Sequence, residues 1–237
     1  KNKAEAYRVY VEHLFLRSDA GDARIFSKEQ EYTTYYSYED GYYDRETKEF
    51  YGFAKVTKRS EGGTVQETEY YNDKYYRKGM VKKSKTVYGG FTYNEKEIEV
   101  DIAPHARVIK EEVTQREKEN PYNYLKTSKR YVYDKYGNVT KLYDEGDVTK
   151  ANDDITAEIT YWKGGSEESY FKAHPEKIEV KDTNNKLLRK REGSYDSKTG
   201  ALSELKQYTS QSAYLINHIE WTDEGSIKAV TAPTGKR

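Results

Sequence analysis

The chain has 237 residues, with 41 basic and 41 acidic side chains, so its formal net charge is zero. This balance argues against a nucleic-acid binder, which needs a basic surplus, and no run of about 18 apolar residues is present that could span a membrane. The absence of cysteine excludes disulfides and thiolate metal sites.

Alternation of apolar and polar residues predicts β-strands along the chain. The alternating stretches, in chain order, are 9–15, 32–38, 98–102, 155–161 and 215–221. Turn-forming pairs stand between them: Asp40-Gly41, Gly62-Gly63, Gly89-Gly90, Gly137-Asn138, Gly164-Gly165, Asn184-Asn185, Thr199-Gly200 and Glu224-Gly225. Residues 107–119 are rich in Lys and Glu, as in a helix, but the β-branched residues among them favour a strand.

Tyrosine is the dominant aromatic residue, with 26 copies. A tyrosine ring can be buried while its hydroxyl stays hydrated or hydrogen-bonded. This property of tyrosine suits a thin sheet with one partly hydrated face better than it suits a compact core without water. A secreted domain this polar would often use disulfides, so their absence fits a chain that a larger assembly stabilises. The start at Lys1 rather than at methionine is expected of an excised piece of a longer polypeptide or of a trimmed product.

The clearest local signal is the stretch 131–140, which has the pattern of a β-hairpin. Tyr131 and Tyr133 share one face of a strand, Asp134 starts a turn, and Gly137 with Asn138 completes it. The aspartate is expected to bond turn amides, and Gly137 is expected to adopt a positive φ. This stretch resembles the tyrosine-aspartate (YD) repeat, which builds hollow β-shells.

Weaker copies of this pattern follow in the second half of the chain, whereas none is identified in the first half. They contain Asp182, with Asn185 in the Gly position, then Asp196, with one extra residue, and Thr222, where Trp-Thr replaces Tyr-Asp. Stacked hairpins of this type bury their faces against their neighbours.

A second resemblance lies in the first half. Residues 36–44 read Tyr-Ser-Tyr-Glu-Asp-Gly-Tyr-Tyr-Asp, and residues 49–56 read Glu-Phe-Tyr-Gly-Phe-Ala-Lys-Val. They resemble the tyrosine-rich turn and the Arg-Glu-Phe-Arg-Gly-Phe-Gly-x-Val box of Tc-toxin B components and their SpvB-like relatives. The chain departs from that box at Lys48, Tyr51 and Ala54, where the family has Arg, Arg and Gly. Further segments in the family's order are 72–79, 152–161 and 177–182.

The resemblance, which covers roughly residues 30–230, implies the family's middle region. It implies a structural wall segment of a hollow β-cocoon that encapsulates a toxin or a polymorphic C-terminal (Rhs-type) effector, without catalysis of its own. The implied partners are the remainder of the same shell polypeptide or its C-component partner. The implied location is secreted or on the cell surface of a bacterium.

We predict an all-β fold of long antiparallel hairpins, forming a curved sheet or two packed sheets. A soft boundary is placed near Asn120-Pro121. It would separate a 1–120 β-region, with the Tyr-rich turn and the Glu-Phe-Tyr-Gly-Phe box, from a degenerate YD-repeat β-region over 121–237. The two regions are also compatible with one continuous sheet.

An alternative function is a cell-surface adhesin or carbohydrate-binding module that uses exposed Tyr and Trp platforms. Aromatic platforms with polar neighbours can bind sugar rings, and exposed aromatic patches mark partner surfaces. The candidates for this ligand surface lie beside turns and are Tyr42, Tyr43, Tyr75 and Tyr76. A possible glycan is therefore kept as a partner.

No catalytic, cofactor or metal site is predicted. The hairpin pattern already accounts for Asp134, Asp182, Asp196 and Asp223 as turn residues. The histidines, which show no metal-ligand spacing, are His13, His105, His174 and His218. The acidic stretch 144–154 lacks the spacing of a calcium loop, and the Gly-Gly pairs lack the residues of a phosphate loop. The basic runs 82–85 and 189–191 are interpreted as lysine-rich strand edges that prevent aggregation.

Overall fold

The computed structural model describes residues 5–11, 30–102, 105–120, 122–164 and 172–233. The all-β prediction is confirmed, and the strands are β1 (Glu5–Val11), β2 (Gln30–Asp44), β3 (Glu49–Ser60), β4 (Thr64–Tyr70), β5 (Val81–Tyr88), β6 (Phe91–Asp101), β7 (Arg107–Arg116), β8 (Tyr124–Tyr133), β9 (Val139–Asp147), β10 (Ile155–Tyr161), β11 (Pro175–Asp182), β12 (Leu187–Tyr195), β13 (Leu202–Tyr208), β14 (Tyr214–Trp221) and β15 (Ile227–Thr231). The helical structure of these residues is one 3-10 turn at Tyr75–Arg77. They include no helix able to cross a membrane.

The strands form one sheet in which each strand lies beside the next one in the chain. Most of the alternating stretches became strands or parts of strands, and residues 107–116 of the stretch 107–119 formed β7 rather than a helix. Of the first stretch, residues 9–11 lie in β1, whereas residues 12–15 lie outside the described part of the chain.

The chain divides into two compact units. The first unit comprises Lys1–Ile98 and Val113–Tyr124, and the second comprises Glu99–Glu112 and Leu125–Arg237. The domain boundary near Asn120 stays a prediction, and Pro121 is outside the described residues.

The predicted turn at Asp40-Gly41 is wrong. β2 continues through this pair to Asp44 and is paired with β3 on both sides of it. Asp40 has a φ of 53°, but the register is the same before and after it, so it lies inside the strand without adding a residue to it. The register shifts between Tyr42 and Tyr43, where Tyr51 is the extra residue on β3. Asn72, in the connection between β4 and β5, donates to the carbonyl of Asp40 at 2.9 Å. The chain reverses later, at residues 45–48.

The second unit has one apolar face. In the register of its central strands, Ala157 lies opposite Leu142 and Val180, and Ile159 lies opposite Ile178. All these side chains keep partial exposure. Because alternate residues point to opposite faces, the neighbouring Glu158 lies on the other face, which carries charge.

A dry core is almost absent from the described residues. The apolar side chains that are buried are Tyr51, in the first unit, and Val100, in the second. The apolar side chains on the faces of this sheet therefore remain partly exposed to water. A sheet that is stable by itself usually packs one face against another layer of the protein.

Candidate functional site

The hairpin turn between β8 and β9 is organised by Asp134. Its Oδ1 accepts hydrogen bonds from the amides of Tyr136 at 2.8 Å and Asn138 at 2.9 Å. The amide of Asp134 donates to the carbonyl of Asn138 at 2.9 Å, and the amide of Gly137 donates to the carbonyl of Asp134 at 3.2 Å. Gly137 has a φ of 89°. The carboxylate thus satisfies turn amides, which is a structural task.

The turn between β11 and β12 repeats this geometry. Asp182 Oδ1 accepts from the amides of Asn184 and Lys186, both at 2.9 Å. Asn185 stands in the place of Gly137 and also has a positive φ, 59°. In the last hairpin Thr222, rather than Asp223, is the turn acceptor, because its Oγ1 receives the amide of Ser226 at 3.3 Å.

A longer form of the turn occurs in both halves of the chain. Asp196 Oδ1 accepts from the amide of Thr199 at 2.8 Å, and Asp44 Oδ1 accepts from the amide of Thr47 at 3.4 Å. The residue after each threonine has a positive φ, 70° at Gly200 and 56° at Lys48. Tyr43-Asp44 is therefore a YD-type turn that the sequence reading missed in the first half.

Strand-end aromatic residues supply a second repeated contact in the second unit. Each donates its polar hydrogen to a backbone carbonyl at the beginning of the preceding strand. The pairs are Tyr133 with Val108 at 2.5 Å, Tyr161 with Val139 at 2.9 Å, Tyr195 with Pro175 at 2.9 Å, and Trp221 with Leu202 at 2.8 Å. These aromatic hydrogen bonds provide a donor for carbonyl groups at the ends of strands, where the hydrogen bonds between neighbouring strands stop.

Gly137→Val is expected to lower the free energy of unfolding by more than about 1 kcal/mol, because a β-branched residue resists a positive φ. No atom lies within 4 Å of the position of an added Cβ, so the cost lies in the backbone. Gly137→Asn is expected to cost less, since Asn185 already occupies the equivalent position. Urea denaturation of both variants checks the order, and equal losses would contradict it.

Three of the four tyrosines proposed as a ligand surface line one cavity in the first unit. Its volume is about 650 Å³, and Tyr42, Tyr43 and Tyr75 are in its wall. The fourth, Tyr76, packs edge-on against Tyr75 with ring centroids 5.3 Å apart. All four rings are exposed, by between 45% and 67%. Charged residues of both signs also line this tyrosine cavity, namely Asp44, Arg45, Glu46, Asp73 and Lys74.

Tyr51 forms the floor of the tyrosine cavity. Only 5% of it is exposed, and its hydroxyl donates to Asp44 Oδ2 at 2.7 Å. Its ring contacts Tyr42 and Tyr75, with centroids 5.6 and 6.4 Å apart, and Lys78 Nζ lies 4.9 Å from the ring centroid. The hydrogen bond from Tyr51 holds the pKa of Asp44 below its usual 3.8.

This bond predicts a pH dependence. Because the folded pKa of Asp44 is lowered, its contribution to stability is present above about pH 3.8 and is lost as the pH falls through the folded pKa. Tyr51→Phe removes the largest cause of the shift. The variant is therefore expected to lose less stability than the wild type between pH 4 and pH 2.5. Urea midpoints across this range test it, with Tyr76→Phe as the control; parallel curves for wild type and Tyr51→Phe would refute the coupling.

Cross-strand ion pairs cover part of the sheet in each unit. Successive members lie 2.9 to 3.2 Å apart. They are Lys55, Glu67 and Lys85 in the first unit and Lys141, Glu158 and Lys181 in the second. Exposed pairs of this kind contribute little stability, but they place charge on a sheet face that water can reach.

The basic runs do not lie on sheet edges, contrary to the sequence interpretation. Their strands, β5 and β12, each have a neighbour on both sides. Lys83 pairs with Glu95 at 2.5 Å and with Glu97 at 2.6 Å, and Lys190 pairs with Glu192 at 2.8 Å. Lys83 also lowers the pKa of Glu95. These lysines neutralise glutamates on their own or neighbouring strands.

The acidic side chains of residues 144–154 form ion pairs and hydrogen bonds within the chain. Asp144 pairs with Lys129 at 3.1 Å, and Asp153 Oδ2 accepts from the amide of Asp147 at 3.0 Å. Asp147 in turn pairs with Lys150 at 2.9 Å. Within the described ranges, no group of three or more His, Asp or Glu side chains is placed to hold a metal ion.

A family model and several solved structures relate this chain to known proteins. A family model described as the insecticide toxin TcdB middle/N-terminal region matches residues 20–84. The fold resembles the Tc holotoxin pore of Photorhabdus luminescens, with a TM-score of 0.57 and 8% identity. It also resembles the crystal structure of TcdB2-TccC3 without its hypervariable C-terminal region, with a TM-score of 0.55 and 9% identity. The crystal structure of TcdB2-TccC3-Cdc42 gives a TM-score of 0.56 and 9% identity. Each likeness covers 75% of this chain and 15% of the other. Curated protein sequences give no significant match.

The resemblance to Tc-toxin B components is thereby confirmed. The family match includes the Tyr-rich segment and the Glu-Phe-Tyr-Gly-Phe box, and the fold likeness extends well beyond it. The chain corresponds to about 15% of the length of the structures it resembles, so these findings bear on a segment and its fold.

Proposed function

We propose that this chain is a structural wall segment of a hollow β-shell that encloses a toxin or effector, with no catalysis of its own. The observation that carries the proposal is the sheet itself. Its strands follow one another in chain order, and the buried apolar residues of the described part are Tyr51 and Val100. A wall needs a continuous hydrogen-bonded sheet, whereas a free-standing globular domain needs a core.

The polar contacts fit the same role. Asp134 and its equivalents stabilise the turns, and strand-end aromatic residues such as Tyr133 form hydrogen bonds to the neighbouring strand. These side chains of the second unit thus hold the sheet together. We assign Tyr131, Tyr133, Asp134, Gly137 and Asn138 to this structural task.

The likeness to TcdB2-TccC3 structures supports partnership with the rest of the shell polypeptide or with a C-component. We propose that the assembly is secreted by, or displayed on, a bacterium. The reading frame that encodes the chain should then continue into a YD-repeat array beyond residue 237.

The test is protection of the enclosed effector. The complete shell polypeptide, produced with its C-component, is expected to shield the effector from added protease until the shell is denatured. Gly137→Val, which strains a wall turn, should increase cleavage of the effector, whereas Tyr122→Ala, which truncates a ring that is 92% exposed, should not. Rapid cleavage in the intact wild-type assembly would reject encapsulation.

A second candidate function is saccharide binding at the tyrosine cavity. Its supporting observation is that Tyr42, Tyr43 and Tyr75 line one cavity together with charged groups of both signs. Aromatic faces can contact the C–H face of a sugar ring, while carboxylates and ammonium groups bind its hydroxyls.

A glycan array separates the two functions. Binding to a neutral glycan that is lost in Tyr42→Ala and in Tyr75→Ala, but kept in Tyr122→Ala, would support the adhesin. A blank array would count against the adhesin and favour the shell. Circular dichroism of each variant confirms that the sheet is intact.

A further inference from the structure

The tyrosine cavity lies between two segments of the first unit that are distant in the sequence. The hairpin of β2 and β3 supplies residues 42–47 and Tyr51, and the connection between β4 and β5 supplies residues 73–75. This connection, residues 71–80, is here called the strap. The hairpin and the strap both belong to the continuously described range 30–102. The contacts between them therefore decide the shape of the cavity.

The conformation of the strap is fixed by contacts within it. The amide of Tyr71 donates to the carbonyl of Met80 at 2.9 Å, and the amide of Gly79 donates to the carbonyl of Tyr71 at 2.8 Å. Arg77 Nε donates to Asp73 Oδ1 at 2.9 Å. These bonds close the strap at its base and brace its interior, but they do not attach it to the hairpin.

Asn72 attaches the strap to the hairpin at one point. Its Nδ2 donates to the carbonyl of Asp40 at 2.9 Å and to the carbonyl of Gly52 at 3.3 Å. Asn72 itself is outside the lining of the cavity. Because Tyr75 comes three residues later in the strap, the position of its ring depends on further contacts.

Lys78 provides the second attachment. Its ammonium group pairs with Glu49 at the beginning of β3, and this pair raises the pKa of Lys78, which therefore stays charged. The same ammonium lies 4.2 Å from the ring centroid of Tyr75 and 4.9 Å from that of Tyr51. A cation over a ring face is attracted to it. One side chain thus connects a ring of the strap, the floor of the cavity and a carboxylate of the hairpin.

We propose that Lys78 is a positioning residue of the tyrosine cavity, which holds the Tyr75 ring in the cavity wall without contacting the sugar itself. Lys78 and Glu49 do not line the cavity, whereas Tyr75 does. The 3-10 turn that carries Tyr75 contains no buried residue, so burial does not fix the orientation of this ring. The proposal rests on saccharide binding at this cavity and adds a residue outside its lining.

The first measurement needs no ligand. In fluorine NMR of the full chain labelled with 3-fluorotyrosine, the Tyr75 signal is assigned with Tyr75→Phe. In Lys78→Met this signal should sharpen and move toward that of Tyr122, whose ring is 92% exposed. Lys78→Arg should keep the wild-type signal, because a guanidinium can also pair with a carboxylate and stack on a ring.

The second measurement is calorimetric titration with lactose and with maltose, two neutral disaccharides. Lys78→Met should weaken the binding of the sugar that the wild type prefers by about fivefold, and Lys78→Arg should restore it. Lys82→Met is the matched control, because Lys82 is an exposed lysine of β5 outside the cavity lining. Circular dichroism verifies that each variant keeps the fold.

Two results would overturn the positioning role. One is a Tyr75 signal in Lys78→Met that keeps the wild-type shift and width, and the other is an equal loss of affinity in Lys78→Met and Lys82→Met. A wild-type chain that binds no sugar counts against the saccharide function. The fluorine spectra then decide alone whether Lys78 positions Tyr75, so the two failures are distinguishable.

Discussion

Tyr51→Ala is expected to lower the melting temperature of the chain by about 10 °C, the largest effect of any single ring truncation in the first unit. The ring is 5% exposed, and it is surrounded by Tyr42, Tyr75 and Lys78. Truncation would leave a void at the buried apolar side chain of this unit's described residues. It would also remove the hydroxyl that donates to Asp44.

Two variants separate the ring from the hydroxyl. Tyr51→Phe keeps the ring and should lose only a minor part of the stability, because Asp44 still accepts the amide of Glu46 at 2.8 Å. Tyr76→Ala removes a ring that is 67% exposed and should have almost no effect. Calorimetric melting of these proteins is the measurement. A Tyr51→Ala protein that melts together with Tyr76→Ala would show that this ring is not a packing centre.

The sequence predicted most strands because a strand has a simple local signature. Alternation over 155–161 corresponds to β10, and the Asp134 turn has the amide contacts expected of its residues. Asp40-Gly41 shows where local chemistry fails. The pair favours a turn, but pairing with β3 on both sides and the hydrogen bond from Asn72 hold it inside the strand instead. Neither the paired residues of β3 nor Asn72 is adjacent to Asp40-Gly41 in the sequence.

The missed turn at Tyr43-Asp44 has a different cause. Its positive-φ position is occupied by Lys48, with φ 56°, and not by the glycine or asparagine that marks such turns. The threonine three residues after the aspartate is the shared signal, present as Thr47 and again as Thr199. A search for Asp-x-x-Thr beside an aromatic residue would have found both turns.

Burial of individual tyrosines could not be predicted from the sequence. Tyr51 and Phe50 are neighbours in β3, yet Tyr51 is buried and Phe50 is 53% exposed. The difference depends on Tyr75 and Lys78, which a 3-10 turn and the residue after it bring over the Tyr51 ring. Composition indicates a sheet with partly exposed tyrosines, whereas tertiary contacts decide which tyrosine ring is buried.

Tyr133→Ala is expected to lower the free energy of unfolding by about 2–3 kcal/mol, at least as much as Gly137→Val. The ring is half-buried on the sheet, 6.4 Å from the ring of Tyr131 and 5.0 Å from the guanidinium of Arg107. Its hydroxyl is the donor to Val108, and burial raises its pKa. Truncation therefore removes packing and leaves a carbonyl at the strand end without this donor.

Tyr133→Phe and Tyr136→Ala make the experiment decisive. Tyr133→Phe keeps the packing and should cost about 1 kcal/mol for the lost hydrogen bond. Tyr136→Ala truncates an exposed ring of the same hairpin and should change the free energy of unfolding by less than about 0.5 kcal/mol. Urea denaturation gives all the values. If Tyr133→Ala is as stable as the wild type, the ring does not fasten β8 to β7. The tyrosines would then be a binding surface, and the adhesin should replace the wall as the proposed function.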